Sequence, residues 1–139
     1  MKARVYEERL TVSNEHLDEL GHVNNVVYLQ WIQDIARAHW ERLASDELKS
    51  AYLWVVLSHH IRYHKPGLPG DELRLVTFVK DTEGVRSVRR VEVFKNETLL
   101  VEAETEWCMI DTKRRRPTRI PDEIKHLFAP SSDEIKQND

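Results

Sequence analysis

The chain has 139 residues, enough for one domain of ordinary size. Its 21 Lys+Arg against 24 Asp+Glu leave a net charge of −3, which argues against a dedicated nucleic-acid binder. The single cysteine, Cys108, excludes an intrachain disulfide and a cysteine-based zinc cage, and no apolar stretch approaches the roughly 20 residues of a membrane span. The opening MKARVYEERL carries charge where a secretory leader needs an apolar core, so the expected location is cytoplasmic, with no membrane partner.

Residues 1–12 set Val5, Tyr6, Leu10 and Val12 among charges and predict a first strand. Residues 13–24 hold no steady period and read as a loop. Tyr28, Trp31, Ile32, Ile35, Ala36, His39, Trp40 and Leu43 then recur at three- and four-residue steps, the apolar stripe of an amphipathic helix. Asn24 is placed to cap it, with Val23 and Tyr28 at the two positions of a hydrophobic staple. A short polar connection follows from Ser45 to Ser50. Beyond it the period becomes that of strands: Leu53 to Tyr63, Leu73 to Val79, Val85 to Lys95 and Leu99 to Ile110. In the last of these Val101, Ala103, Thr105 and Trp107 share one face against Glu102, Glu104 and Glu106. Turn chemistry separates the strands at PGLPGD (66–71), DTEG (81–84) and KNET (95–98).

One strand, one long helix and four further strands predict an α+β two-layer domain, the helix packed on a five-stranded antiparallel sheet. At about 1.5 Å per residue the helix is roughly 28 Å long, and strands spaced about 4.8 Å apart make a sheet of similar width. The domain is expected over 1–128, with a polar tail at 129–139. One helix covers one sheet face only, and four Trp, four Tyr and three Phe need partners. Pairing with a second copy is the simplest remedy.

Chemistry concentrates in the loop before the helix, His16-Leu17-Asp18-Glu19-Leu20-Gly21-His22-Val23-Asn24-Asn25-Val26-Val27-Tyr28. It sets a carboxylate, an imidazole and two amides beside free N–H groups and the positive end of a helix dipole. Such a site can hold a carbonyl oxygen as it becomes negative while the Asp activates water or attacks directly. Asp, Gly and Asn ahead of a helix also serve as turn and cap residues, and that reading stands beside the chemical one.

The stretch Asp18-x-x-Gly21-His22-Val23-Asn24-Asn25-x-x-Tyr28 resembles the signature of the hotdog-fold acyl thioesterases, in particular the 4-hydroxybenzoyl-CoA thioesterase family. Its HVNN core is similar to that of the plant acyl-ACP thioesterases, which carry Asn where this chain has Leu20. Tyr63-x-x-Pro66-x-x-x-Gly70-Asp71 and Arg116-Pro117-x-x-Ile120-Pro121 are similar to further family segments, so the likeness covers roughly residues 3–128. The resemblance implies a single hotdog domain in which a sheet wraps a long helix. It also implies dimers or tetramers with sheets joined edge to edge and active sites at the interface. It implies hydrolysis of an acyl-CoA or acyl-ACP thioester to acid and thiol, without a cofactor. By position Asp18 is the family's catalytic carboxylate, and His22 sits where a polar group orients water or substrate. Gly21, Asn24, Asn25 and Tyr28 form the substrate-binding set. Within it, Asn25 offers its backbone N–H to the carbonyl, and Tyr28 lines the acyl cavity or braces the loop.

Outside this segment, His60 and His64 share a strand face but stand roughly 13 Å apart, too far for one metal, and no metal site is expected. Lys113, Arg114, Arg115 and Arg116 form a basic run past the last strand. It reads either as a solvated turn or as a landing site for CoA phosphates or an acidic carrier, the first three being the candidates. Arg86, Arg89 and Arg90 read as strand-surface charge that could join it. Cys108 alternates within a strand and reads as a buried, inert thiol. Two functions from different classes remain: an acyl thioesterase and a non-catalytic acyl-CoA-binding or regulatory hotdog domain. The carboxylate at Asp18 favours the enzyme.

Overall fold

The computed structural model describes residues 4–129; most of the expected polar tail lies outside them. Strand β1 (Tyr6–Thr11) leads through a 3-10 turn at Asn14–His16 into helix α1 (Asn25–Leu43). This helix buries Tyr28, Ile32, Ile35, Ala36, His39 and Trp40, the predicted stripe. Its start is set chemically. Asn24 stays extended and its side chain accepts a hydrogen bond from Val26 N at 2.9 Å.

The expected polar connection after α1 is instead a short helix, α2 (Asp46–Ala51). Ser45 caps it by accepting from Leu48 N, Asp46 and Glu47 sit at the positive end of its dipole, and Leu48 is buried. The polarity of this connection is that of a helix N-terminus.

Strands β2 (Tyr52–Tyr63), β3 (Glu72–Glu83), β4 (Arg86–Lys95) and β5 (Thr98–Asp111) follow, and a two-residue β6 (Arg116–Pro117) pairs with β5. The sheet is antiparallel in the order β1-β3-β4-β5-β2. Five strands were expected, and the sixth is this short addition. The DTEG segment is mostly strand, since β3 runs to Glu83 and the reversal tightens onto Gly84 (φ 63°) and Val85. Helix α3 (Asp122–Leu127) closes the far end and buries Ile124.

The result is a hotdog domain with β1 and β2 at the sheet edges. One core cluster joins the first half of α1 to Val12, Leu73, Leu75, Val91, Val93 and Val101. A second joins Trp40, Leu48, Met109, Ile120, Ile124 and Phe128. As predicted, β5 turns Val101, Ala103, Thr105 and Trp107 inward. On the opposite face Glu102, Glu104 and Glu106 pair with Arg90, Lys80 and Arg86, a solvated ladder of ions.

Candidate functional site

Residues 17–23 close into a small loop. Leu17 and Val23 bridge across it, and Asp18 N donates to His22 O at 2.8 Å. The Asp18 carboxylate completes the turn: Oδ1 accepts from Leu20 N at 2.9 Å and from His22 N at 3.1 Å. Gly21 takes φ +75°, a conformation that disfavours a side chain. Among the described residues Oδ2 has no hydrogen-bond partner, and the side chain is exposed beside Glu19, Leu20 and Asn24 in an open depression.

The loop is anchored on three sides. Asn24 N donates to His16 O, Val23 N donates to Gly67 O at 2.9 Å, and Gly67 N donates to Tyr28 Oη at 3.1 Å. Tyr28 is 2% exposed, so within this chain it braces the loop. Burial raises its phenol pKa, against the opposing effect of the Gly67 hydrogen bond. The segment after β2 also serves this frame. Gly70 N donates to Val12 O, and Asp71 holds Leu68 N and Lys95. Burial works against the Asp71 charge, yet these hydrogen bonds keep its pKa below the ordinary value.

At the start of α1, Val26 N is taken by the Asn24 side chain, and Val27 N and Tyr28 N reach Asn24 O. The amide of Asn25 has no acceptor among the described residues. It is an uncommitted N–H at the positive end of a 19-residue helix, next to the loop that presents Asp18. His22 is half-buried, and its backbone N–H serves Asp18 while its ring makes no hydrogen bond among the described residues. A negative oxygen and a carboxylate-activated attacker can both be served here.

The basic residues Lys113, Arg114 and Arg115 lie exposed in the β5–β6 turn, where Asp111 Oδ1 accepts from Lys113 N and Arg114 N. These amides, Arg114's first, lower the Asp111 pKa despite the opposing effect of desolvation. This turn is far from Asp18. It lies where Tyr52 pairs with Asp111, whereas Tyr63, at the other end of β2, lies against Tyr28. Eleven residues of strand separate those ends, about 36 Å at about 3.3 Å each. One chain does not bring the two candidate sites together.

Two of the three arginines expected on the surface of β4 are there, but Arg89 is not. It is 5% exposed and points inward, in step with Ser87, Val91 and Val93. That alternation was visible in the sequence and was the signal for an inward arginine. Cys108 is buried, as its strand position predicts. His59, which bonds Thr105 Oγ1 at 2.8 Å, has its pKa lowered by burial.

A sequence profile of the thioesterase-like superfamily matches residues 12–128. The chain belongs to this superfamily. Its resemblance to a chloroplastic acyl-[acyl-carrier-protein] hydrolase of Cuphea viscosissima is 26% identity over 84 residues, covering 59% of this chain and 20% of the plant protein. The chain thus matches about one fifth of that relative's length. Among solved structures, Staphylococcus aureus SAV2348 in complex with CoA superposes with a TM-score of 0.79 at 21% identity, covering 94% of this chain and 89% of that one. A thioesterase from Thermus thermophilus, complexed with coenzyme A and Zn, gives 0.77 at 24%, covering 88% and 90%. At these identities the structural likeness carries the hotdog fold of the superfamily. Among the described residues no helix is long and apolar enough to cross a membrane.

Proposed function

We propose that the chain is a thioesterase that hydrolyses an acyl-CoA or acyl-ACP thioester to the free acid and the thiol. The observation that carries this reading is the free Asp18 Oδ2 in the loop that runs into the uncommitted Asn25 N–H, in a member of the thioesterase-like superfamily. Asp18 either takes a proton from water, whose oxygen attacks the thioester carbonyl, or attacks that carbonyl itself. Both routes use the same free oxygen. The developing oxyanion accepts from Asn25 N–H, a contact of a kind worth about 10²–10³ in rate. The C–S bond then breaks. On the first route the thiolate leaves with the proton that Asp18 took from water. On the second it leaves an acyl–Asp18 anhydride, which water cleaves to the free acid and Asp18, giving its other proton to the thiolate. His22, Gly21 and Asn24 shape the loop around this centre, and Tyr28 holds it to Gly67.

The active unit in this reading pairs two copies through β2. That strand is an edge of 12 residues with Leu53, Val55 and Leu57 exposed at 45%, 39% and 46%. A long apolar edge invites pairing, whereas β1 is six residues with Glu7, Glu8 and Arg9 among them. Antiparallel pairing of β2 with β2 sets the Tyr52 end of one strand toward the Tyr63 end of the other. The basic turn of the second copy then approaches this copy's Asp18. Lys113, Arg114 and Arg115 can there bind the phosphates of CoA or an acidic carrier. The CoA complexes of the two solved relatives support this choice of substrate class.

The test is free-thiol release over a panel of acyl-CoA esters, short, long and aromatic, beside acyl carrier protein esters. Turnover of any of them supports the enzyme and reads out its acyl preference. Saturable binding of the esters without turnover would assign the chain to the acyl-CoA-binding class instead.

A further inference from the structure

A cavity of about 240 Å³ lies at the other end of α1, between the second half of that helix, the start of β2 and the inner faces of β4 and β5. Its first helical wall residue, Ala36, is 11 residues beyond Asn25, about 16 Å along the axis, so within one chain it is distinct from the Asp18 depression. Trp40, Trp54, Trp107 and Phe128 form apolar walls, and Ser87 and Arg89 are polar lining residues.

Arg89 is a donor without sufficient acceptors. Arg89 Nη1 donates to His39 Nδ1 at 2.9 Å and to Thr77 Oγ1 at 3.2 Å, both neutral partners. Burial and the adjacent guanidinium hold the His39 pKa down at about 3, so its ring accepts at Nδ1 and brings no charge. Burial also lowers the Arg89 pKa to about 10, which leaves it a cation at neutral pH. The neighbouring Arg86 and Arg90 each hold a glutamate, but among the described residues no carboxylate lies within ion-pair distance of Arg89. At the mouth Lys49 is paired with Glu41, and Arg37 stands exposed.

A guanidinium taken out of water with no counter-charge is unfavourable, and the Phe128 ring, its centroid 5.2 Å from the guanidinium carbon, offsets only part of that. An oxyanion entering the cavity supplies the missing charge. One inward cation suits a singly charged carboxylate, and the guanidinium fork matches its geometry. The aromatic walls suit an apolar or aromatic body. At about 30 Å³ per water, the space equals about eight waters, room for a ring and a short chain. We propose that this cavity binds an apolar monocarboxylate as the free acid, with its carboxylate on Arg89 and its body among Trp40, Trp54 and Phe128. By the β2 pairing proposed above, this end of the chain lies toward the second copy's Asp18 loop, so the proposal deepens the hydrolytic reading; binding is read without turnover, which keeps the two failures distinguishable.

The experiment is calorimetric titration of the wild-type chain at pH 7 with 3-phenylpropanoate and, separately, with its neutral amide, 3-phenylpropanamide. The expected result is saturable binding of the acid, one per chain, with the amide at least tenfold weaker. Arg89→Gln should weaken the acid at least tenfold and leave the amide unchanged. Equal binding of acid and amide, or binding of neither, overturns the proposal. The acid–amide comparison needs no variant, so it decides even where Arg89→Gln fails to fold.

Discussion

A Cβ at position 67 would lie 2.7 Å from Tyr28 Oη and 2.9 Å from Val23 Cγ2. Both neighbours are core residues that fix the Asp18 loop, so neither gives way cheaply. Gly67→Ala should therefore cost about 1–3 kcal/mol, the usual range for overpacking, and should lower turnover through the displaced loop. Urea unfolding reads the first effect and thiol release the second; an unchanged midpoint would mean that the contact is slack. His39 sets a second expectation at this scale. The unfolded chain takes up a proton near pH 6.5 and the folded chain only near pH 3, so acid favours unfolding across that window. The stability His39 contributes is present above pH 6.5 and is lost as pH falls, by about 2 kcal/mol between pH 6.5 and 5. His39→Gln keeps an acceptor for Arg89 without the titration. Its stability should fall less than the wild type's over that interval, and an identical fall would remove His39 from the acid response.

Strand β2 presents the apolar edge of the sheet. Its exposed Val55, fourth of its twelve residues, lies opposite Cys108 of β5, on the edge that a second copy would pair. Val55→Glu places a carboxylate in that apolar seam and should leave single chains, where the wild type sediments as at least twice its 16.5 kDa. A wild type that sediments as one chain would contradict the pairing. The elements differ in how plainly the sequence announced them. The stripe from Tyr28 to Leu43 and the alternation of β5 were legible because each presents one apolar face with a steady period. Helix α2 was not, because six residues carry too little period to separate a capped turn from a loop. Residue type alone puts Arg89 on the surface, since arginine is seldom buried, while its parity with Val91 and Val93 points inward, and the fold follows the parity. In the site, Asn24 as cap and Gly21 as turn were legible from residue type. Which amide stays free at Asn25, and which Asp18 oxygen is committed, depends on bonds that only the folded loop forms.

For the whole molecule, the β5–β6 turn and the Asp18 loop stand at opposite ends of β2, and the account joins them across two copies. Replacing Lys113, Arg114 and Arg115 with Ala should raise KM for a CoA ester with little change in kcat, since the phosphates lie away from the reacting carbonyl. An unchanged KM returns that turn to solvated surface. Hydrolysis rests on Asp18, and the deciding comparison is wild type against Asp18→Asn in the thiol-release assay. The amide oxygen of the variant can still accept from Leu20 N and His22 N, so the loop and the urea midpoint should hold. The variant lacks the carboxylate, and kcat should fall by about 10² or more, on the order of 3 kcal/mol. Near-normal turnover in a folded Asp18→Asn chain would contradict the account.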